Sequence, residues 1–117
     1  FYIGRLKSGA LLLINHRHFI HRNNLTAMIS DDEGETWSKG LLLDERKQVS
    51  YPDVKQTEDG SSYIVYDRER GAHYNPNVDY TNAAREILYA KVTEADIRAG
   101  CGGSLKNIVS KLNLEDK

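Results

Sequence analysis

The sequence predicts an all-β fold of about two antiparallel, four-stranded β-propeller blades, followed by a short helix. Three observations support this prediction. Short apolar runs separated by turn residues fill the first three quarters of the chain. Two turn glycines, Gly9 and Gly60, lie 51 residues apart (60 − 9), close to the length of one propeller blade. The runs 11–14 and 63–66 are apolar without alternation, which indicates strands covered on both faces, as in stacked sheets.

The strand signals repeat in order along the chain. In the first blade we place strands at residues 1–3, 10–14, 25–29 and 41–43, with a turn at 7–9. The pattern then begins again with a hairpin turn at 58–60 and strands at 63–66 and 86–92. We therefore divide the single domain, residues 1–117, into one blade over 1–48, a second over 49–93, and a helix and tail over 94–117.

The end of the chain changes character. Thr93 is a good N-cap, Asp96 stands three residues later as in a capping box, and Gly100 can end the helix. The polar segment 71–84 has no periodicity and is predicted to be a loop inserted in the second blade. Ile108 and Val109 leave open a further strand.

The composition excludes several classes of partner. Lys plus Arg number 16 and Asp plus Glu 17, so a net charge of −1 gives no general attraction for nucleic acid or anionic membranes. No apolar run approaches the roughly 18 residues of a membrane span. The single cysteine, Cys101, excludes an internal disulfide framework.

The first residue is Phe1 rather than Met, so we expect a trimmed or partial chain.

The stretch SDDEGETW, residues 30–37, predicts a tight turn after a strand. The side chains of Ser30 and Asp32 can bond turn amides, and Gly34 can adopt a positive φ. The Trp37 ring can then pack beneath the blade. A calcium loop would need further acids, a glutamate about twelve residues in, and flanking helices. We therefore predict an architectural role, and no metal, for Ser30, Asp32, Gly34, Thr36 and Trp37.

This stretch resembles the Asp-box, or bacterial neuraminidase repeat, of sialidase propellers, in which the turn joins the third and fourth strands of a blade. The likeness extends to HRNNLTAMISDDEGETW, where an arginine precedes a strand and its box. It also extends to VSYPDVKQTEDGSSYIVYDRER, where a tyrosine precedes a strand and an Asp-Gly turn. The resemblance covers about residues 1–98 and implies the final blades of a six-bladed, exo-sialidase-like propeller. Because 117 residues cannot close such a ring, we expect part of a longer protein or self-association through uncovered blade faces.

The resemblance also implies a site. Arg22 corresponds to the third of three arginines that hold the sugar carboxylate, a task suited to the planar guanidinium. Tyr51 corresponds to the nucleophile of a retaining mechanism, because a neutral phenol can approach an anomeric carbon that carries a carboxylate. Asp53 and Asp67 are further candidates for the site. The simpler alternatives are a surface arginine and a packing tyrosine.

The chain departs from the family pattern. It has Tyr51-Pro52-Asp53 where Tyr-Ser is usual and Tyr66-Asp67 where Tyr-Glu is typical. We find no counterpart of the other two arginines, the acid/base aspartate, or the glutamate that activates the tyrosine. Two function classes therefore stay open. One is a fragment of a hydrolase of terminal sialic acids or related acidic sugars, inactive as an isolated chain; the other is a non-catalytic module that binds glycans or proteins.

Further expectations concern cofactors, surface charge and compartment. His16, His18 and His21 lack a nearby cysteine or well-spaced acid to complete a metal site, so we expect neither metal nor cofactor. Residues 67–70 alternate in charge, which is typical of a solvated strip of ion pairs. The resemblance favours a secreted or periplasmic protein.

Overall fold

Two four-stranded antiparallel sheets and one helix make up the part of the chain that the computed structural model describes, residues 1–17, 20, 22–69 and 85–111. The first sheet contains β1 (Tyr2–Arg5), β2 (Leu11–His16), β3 (Leu25–Ser30) and β4 (Leu41–Asp44). The second contains β5 (Val49–Gln56), β6 (Ser62–Arg68), β7 (Glu86–Val92) and β8 (Ser104–Lys111). Each sheet is a meander in which consecutive strands are neighbours. The predicted fold class is confirmed.

The 51-residue spacing of the turn glycines is a structural repeat. In the first sheet Leu6 N–H donates to Ala10 O (2.8 Å), and Gly9 N–H donates to Leu6 O (2.9 Å). The hairpin of the second sheet repeats both bonds 51 residues later, from Thr57 to Ser61 O (2.8 Å) and from Gly60 to Thr57 O (3.0 Å). Both glycines have positive φ, 97° and 89°. The two hairpins therefore close in the same way because each has glycine where the backbone turns left-handed.

The hydrophobic core lies between the sheets. Each sheet turns one face inward, and the residues of these faces are almost completely buried, including Leu12, Ile14, Leu25, Leu43, Ile64, Leu88 and Val92. The expectation that both faces of the apolar runs are covered is wrong for the described chain. Val65 is 40% exposed, and Leu11 and Leu13 are only half-buried. The outer faces carry exposed apolar side chains beside polar ones, and within the described residues no third sheet covers them.

The helix α1 (Glu94–Ala99) forms as its capping residues predict. Thr93 Oγ1 accepts from Asp96 N–H, the Asp96 carboxylate accepts from Thr93 N–H, and Gly100 has a left-handed conformation with φ 77°. The strand left open by the sequence is present, since β8 pairs with β7. The second sheet thus takes its fourth strand from the segment assigned to a helix and tail, because α1 is inserted between its last two strands. The predicted loop, 71–84, lies outside the described residues.

The strand order gives the molecule two distinct ends. The hairpins at 6–10 and 57–61, the turn at 31–40 and α1 lie at one end, which we call the hairpin end. Residues 22–24 and 45–50 lie at the other, which we call the site end. The six residues of β3 separate the two ends by about 17 Å at the usual rise per residue. Within the described residues, no helix has the length and apolar character needed to span a membrane.

Candidate functional site

The SDDEGETW stretch forms a closed turn between β3 and β4 at the hairpin end. Ser30 Oγ donates to Asp32 Oδ1 (2.8 Å) and accepts from Gly34 N–H (2.8 Å). The same carboxylate accepts from Thr36 N–H (2.8 Å) and Thr36 Oγ1 (2.5 Å). Gly34 has φ 90°, and a Cβ there would lie 3.7 Å from the Trp37 ring. These contacts fix the backbone of the turn and give the side chains of Ser30, Asp32 and Thr36 hydrogen-bond partners within it. Such an arrangement is typical of a structural turn.

Hydrogen bonds set the ionisation of the turn. Bonds from the Thr36 hydroxyl and amide, with one from Ser30, lower the pKa of Asp32 to about 2. Two of the three other acids in the turn form bidentate ion pairs with arginines: Glu33 with Arg5 of β1, and Asp31 with Arg98 of α1. Asp31, Asp32 and Glu33 therefore bind groups of the protein itself.

Arg22 and Tyr51 meet at the site end, although they come from different sheets. Arg22 lies in the loop before β3, and Tyr51 lies near the start of β5. The Arg22 Cζ atom stands 5.8 Å from the centroid of the Tyr51 ring, within the range of a cation–π contact. Arg22 Nη1 also donates to Ser50 Oγ (3.1 Å). The structure thus brings together the two residues that the sequence singled out for a site.

The backbone at this end is strained. Arg22 and Tyr51 both have φ 55°, an unusual value for an arginine and a costly one for an aromatic residue. Tyr51 also lies in an irregularity of the β5–β6 pairing, between Ser50 and Asp53. Other residues at this end with positive φ are Asn24, Gln48, Glu69 and Arg85. Such conformations cost of order 1–3 kcal/mol each and concentrate at functional sites, as β-bulges do.

Hydrogen bonds between the sheets fix the start of β5. His16, the last residue of β2, bonds Val49 O through Nε2 (2.5 Å). The Val49 N–H donates to the backbone oxygen of Arg22 (3.1 Å). Val49 is fully buried and directly precedes Ser50 and Tyr51. The position of Tyr51 relative to Arg22 is therefore set by backbone contacts as well as by side chains.

The two candidate aspartates occupy β5 and β6. Asp53 is exposed, its Oδ1 accepts from Val54 N–H (2.9 Å), and it pairs with Val65 on the outer face. Asp67 pairs in register with Ser50, one residue before Tyr51. Asp67 is thus close along the sheet to the candidate pair, whereas Asp53 faces the uncovered surface.

The predicted solvated strip at 67–70 is wrong for Arg68. Its side chain is only 17% exposed and donates to Glu86 Oε1 (2.7 Å), whose residue is buried, and to Glu69 Oε1 (3.0 Å). Arg68 shares the inward face of β6 with Ile64 and Tyr66, which brings its guanidinium to the buried Glu86. Arg70 lies outside the described residues.

Sequence reasoning missed a buried polar group at the site end. Asp44 ends β4, is fully buried, and accepts from Tyr66 OH of β6 (2.7 Å) and from the guanidinium of Arg46 (2.7 and 2.9 Å). Burial raises the pKa of Asp44, but the bonds from Arg46 and Tyr66 outweigh it and hold that pKa below its usual value. Burial, with the bond to Asp44, raises the pKa of Tyr66. The sequence signal that could have indicated this buried carboxylate is the position of Asp44 directly after the apolar run 41–43.

The described residues provide no cluster of three or more His, Cys, Asp or Glu side chains that could hold a metal ion. His18 and His21, which the sequence placed beside His16, lie outside the described part of the chain. His16 itself is directed to the Val49 carbonyl.

Comparison with known proteins identifies the repeat. Residues 2–64 match the family model described as a BNR repeat-like domain, which covers the first sheet, the start of the second, the SDDEGETW turn, Arg22 and Tyr51. Neither the curated proteins nor the solved structures yield a match. This repeat occurs in sialidases and other propeller proteins. Since the match spans more than half of the chain, the protein belongs to the BNR repeat-like domain family.

Proposed function

We propose that the site end binds the carboxylate of an acidic sugar, as part of a sialidase-like propeller that acts on terminal sialic acids or related glycans. One observation carries the proposal: Arg22 and Tyr51, from different sheets, lie side by side with 5.8 Å between the guanidinium carbon and the ring centroid. The sugar carboxylate and anomeric carbon of a sialoside are adjacent atoms, so the groups that serve them must also be neighbours.

The chemistry of the two side chains fits such a ligand. The Arg22 guanidinium has five donors in a planar fork, and one of them is directed at Ser50 Oγ. The fork geometry suits a bidentate contact with a carboxylate. Tyr51 is 53% exposed, so its ring and hydroxyl are accessible to a ligand. In the proposed parent enzyme the Tyr51 oxygen bonds to the anomeric carbon as the glycosidic bond breaks; a base in the rest of the parent takes the phenol proton, and an acid there protonates the leaving alcohol. Water then cleaves the bond between Tyr51 and the sugar, which releases the sugar with net retention.

Tyr66 cannot perform this role instead. Its hydroxyl is bound to the buried Asp44, and both burial and this bond raise its pKa, so the phenol stays protonated. Its side chain is 1% exposed, which keeps a sugar from reaching it. Of Tyr51 and Tyr66, Tyr51 is therefore the tyrosine that a ligand at the site end can approach.

The second candidate is a BNR module that binds acidic glycans without cleaving them. Two departures favour it: Tyr51 is followed by Pro52-Asp53, and Tyr66 is followed by Asp67 where the sialidase pattern has glutamate. The chain also offers no counterpart of the general acid that the family uses. Both candidates share the carboxylate contact at Arg22 and differ in what Tyr51 does.

A titration followed by NMR tests the shared step. The ligands are the α-methyl glycoside of N-acetylneuraminic acid and the methyl ester of the same sugar, which lacks the charge. We expect the acid to shift the resonances of Arg22 and Tyr51 and the ester to bind at least about tenfold more weakly, because hydrogen bonds to charged groups contribute about 1.5–3 kcal/mol.

The Arg22→Ala variant should lose the preference for the acid. Arg5→Ala is the matched control, because Arg5 is an exposed arginine engaged with Glu33 at the hairpin end. Equal binding of acid and ester, or equal loss in both variants, would show that the site end does not recognise a carboxylate.

A further inference from the structure

Ser50 holds a central position between Arg22 and Tyr51. It precedes Tyr51 in β5, its hydroxyl accepts from Arg22 Nη1 (3.1 Å), and it is 9% exposed. The bond joins a loop of the first sheet to a strand of the second. Arg22 is thereby held from two sides, by the Ser50 hydroxyl at one nitrogen and by the Tyr51 ring near its carbon.

The position of Ser50 is itself fixed by the neighbouring backbone. The backbone N–H of Val49 donates to Arg22 O (3.1 Å) in the loop before β3, and its backbone oxygen accepts from His16 Nε2 (2.5 Å) at the end of β2. The register pair Ser50↔Asp67 holds the other side of the strand. Contacts with β2, β6 and the loop before β3 therefore fix the backbone of Ser50, and with it the position of the Ser50 hydroxyl relative to Arg22.

We propose that Ser50 is the positioning residue of the site: it fixes the guanidinium of Arg22 over the Tyr51 ring so that the remaining donors are oriented before a ligand arrives. This inference rests on the proposed function for its ligand and on the geometry alone for the orientation of Arg22. An arginine has many rotamers, and immobilising a side chain of this kind during binding weakens affinity by about 2- to 10-fold. Ser50 removes that loss by restricting the rotamers in the free protein.

The first part of the test needs no ligand and measures the rotation of the Arg22 guanidinium in the free protein. Guanidinium resonances of Arg22 report rotation about the Nε–Cζ bond, which is slow when a nitrogen is hydrogen-bonded. In Ser50→Ala we expect faster rotation than in the unmodified chain, and Ser50→Thr, which keeps the hydroxyl, should restore the slow rate. Ser50→Cys is a second variant of similar size, in which the thiol is a weak acceptor, and it should resemble Ser50→Ala. Ser62→Ala, a buried serine at the hairpin end of β6, is the matched control.

The second arm measures binding of the α-methyl glycoside of N-acetylneuraminic acid. We expect Ser50→Ala to weaken binding about 2- to 10-fold and Ser50→Thr to restore it. Unchanged Arg22 rotation in both Ser50→Ala and Ser50→Cys would overturn the positioning role. Faster rotation in these variants, with no binding by any chain, would support the positioning role and reject the acidic-sugar function.

Discussion

The hydroxyl of Tyr66 in the second sheet donates a 2.7 Å hydrogen bond to the buried carboxylate of Asp44 in the first. Arg46 binds the same carboxylate through two nitrogens. We expect Tyr66→Phe to reduce the free energy of unfolding by about 1–3 kcal/mol, because a buried acceptor loses a donor. Asp44→Ala should cost more than Tyr66→Phe, because it leaves the buried Tyr66 hydroxyl without its acceptor and also removes the partner of the partly exposed Arg46 guanidinium. Urea unfolding followed by Trp37 fluorescence measures both.

The control for this prediction is Tyr63→Phe on the outer face of the same strand, where the side chain is half-buried. That change should stay within about 0.5 kcal/mol of the unmodified chain, as is usual for surface substitutions. Equal effects of the two phenylalanine variants would show that the bond between Tyr66 and Asp44 contributes nothing specific.

The turn at residues 30–37 should make stability depend on pH at the acidic end. The pKa of Asp32 is about 2 in the folded chain and 3.8 in the absence of its partners. Because folding lowers this pKa, the stabilisation is fully present above 3.8 and is lost as the pH falls through about 2. We expect the difference in Tm between the unmodified chain and Asp32→Asn to shrink across this window. Carboxyl NMR of Thr36→Val should show a higher Asp32 pKa, and an unchanged value would contradict the assignment.

The 117-residue chain should not turn over a fluorogenic sialoside. General acid assistance to the leaving group contributes about 10²–10⁴-fold, and the aspartate that provides it in sialidases has no counterpart here. One arginine in place of three would also hold a sugar carboxylate less firmly. The assay compares the chain with Tyr51→Phe, which should be indistinguishable from it. Measurable turnover that Tyr51→Phe removes would show that the missing groups are provided by residues we have not identified.

The outer faces should make the chain self-associate. Ile3 and Leu42 on the first sheet are 50% and 45% exposed, and Val65 and Ile87 on the second are 40% and 45% exposed. We propose that the outer face of one copy packs on that of another, because stacked sheets bury such residues. Light scattering after size-exclusion chromatography should show association that Ile87→Lys weakens. Ile20→Lys, which changes an exposed isoleucine outside both sheets, should have no effect; a monomer at all concentrations would refute the proposal.

Local features were predictable from the sequence. The hairpin at Gly60, the turn that begins at Ser30 and the helix capped by Thr93 all form through contacts within a few residues, and each has a recognisable spacing. The adjacency of Arg22 and Tyr51 came from resemblance to a family pattern. It could not have come from periodicity, because the two residues belong to different sheets.

Contacts between the sheets were not predictable in the same way. Asp44 and Tyr66 are 22 residues apart, and Ser50 reaches Arg22 across 28. No local pattern indicates such partners, since any of several hydroxyls could serve each acceptor or donor. The prediction that both faces of the runs 11–14 and 63–66 are covered was wrong for a related reason. A continuous apolar run shows that a strand can be buried on both faces, but it does not show that the described chain contains an element to cover each face.

The meeting of Arg22 and Tyr51 across the sheet boundary has a thermodynamic consequence. A ligand that contacts both residues can bind only when the sheets are docked, so ligand binding and docking are linked equilibria. A free ligand concentration of 100 times Kd would favour the docked state by about 2.7 kcal/mol. The ligand would thus act as a clamp on the fold, and separation of the sheets would release it.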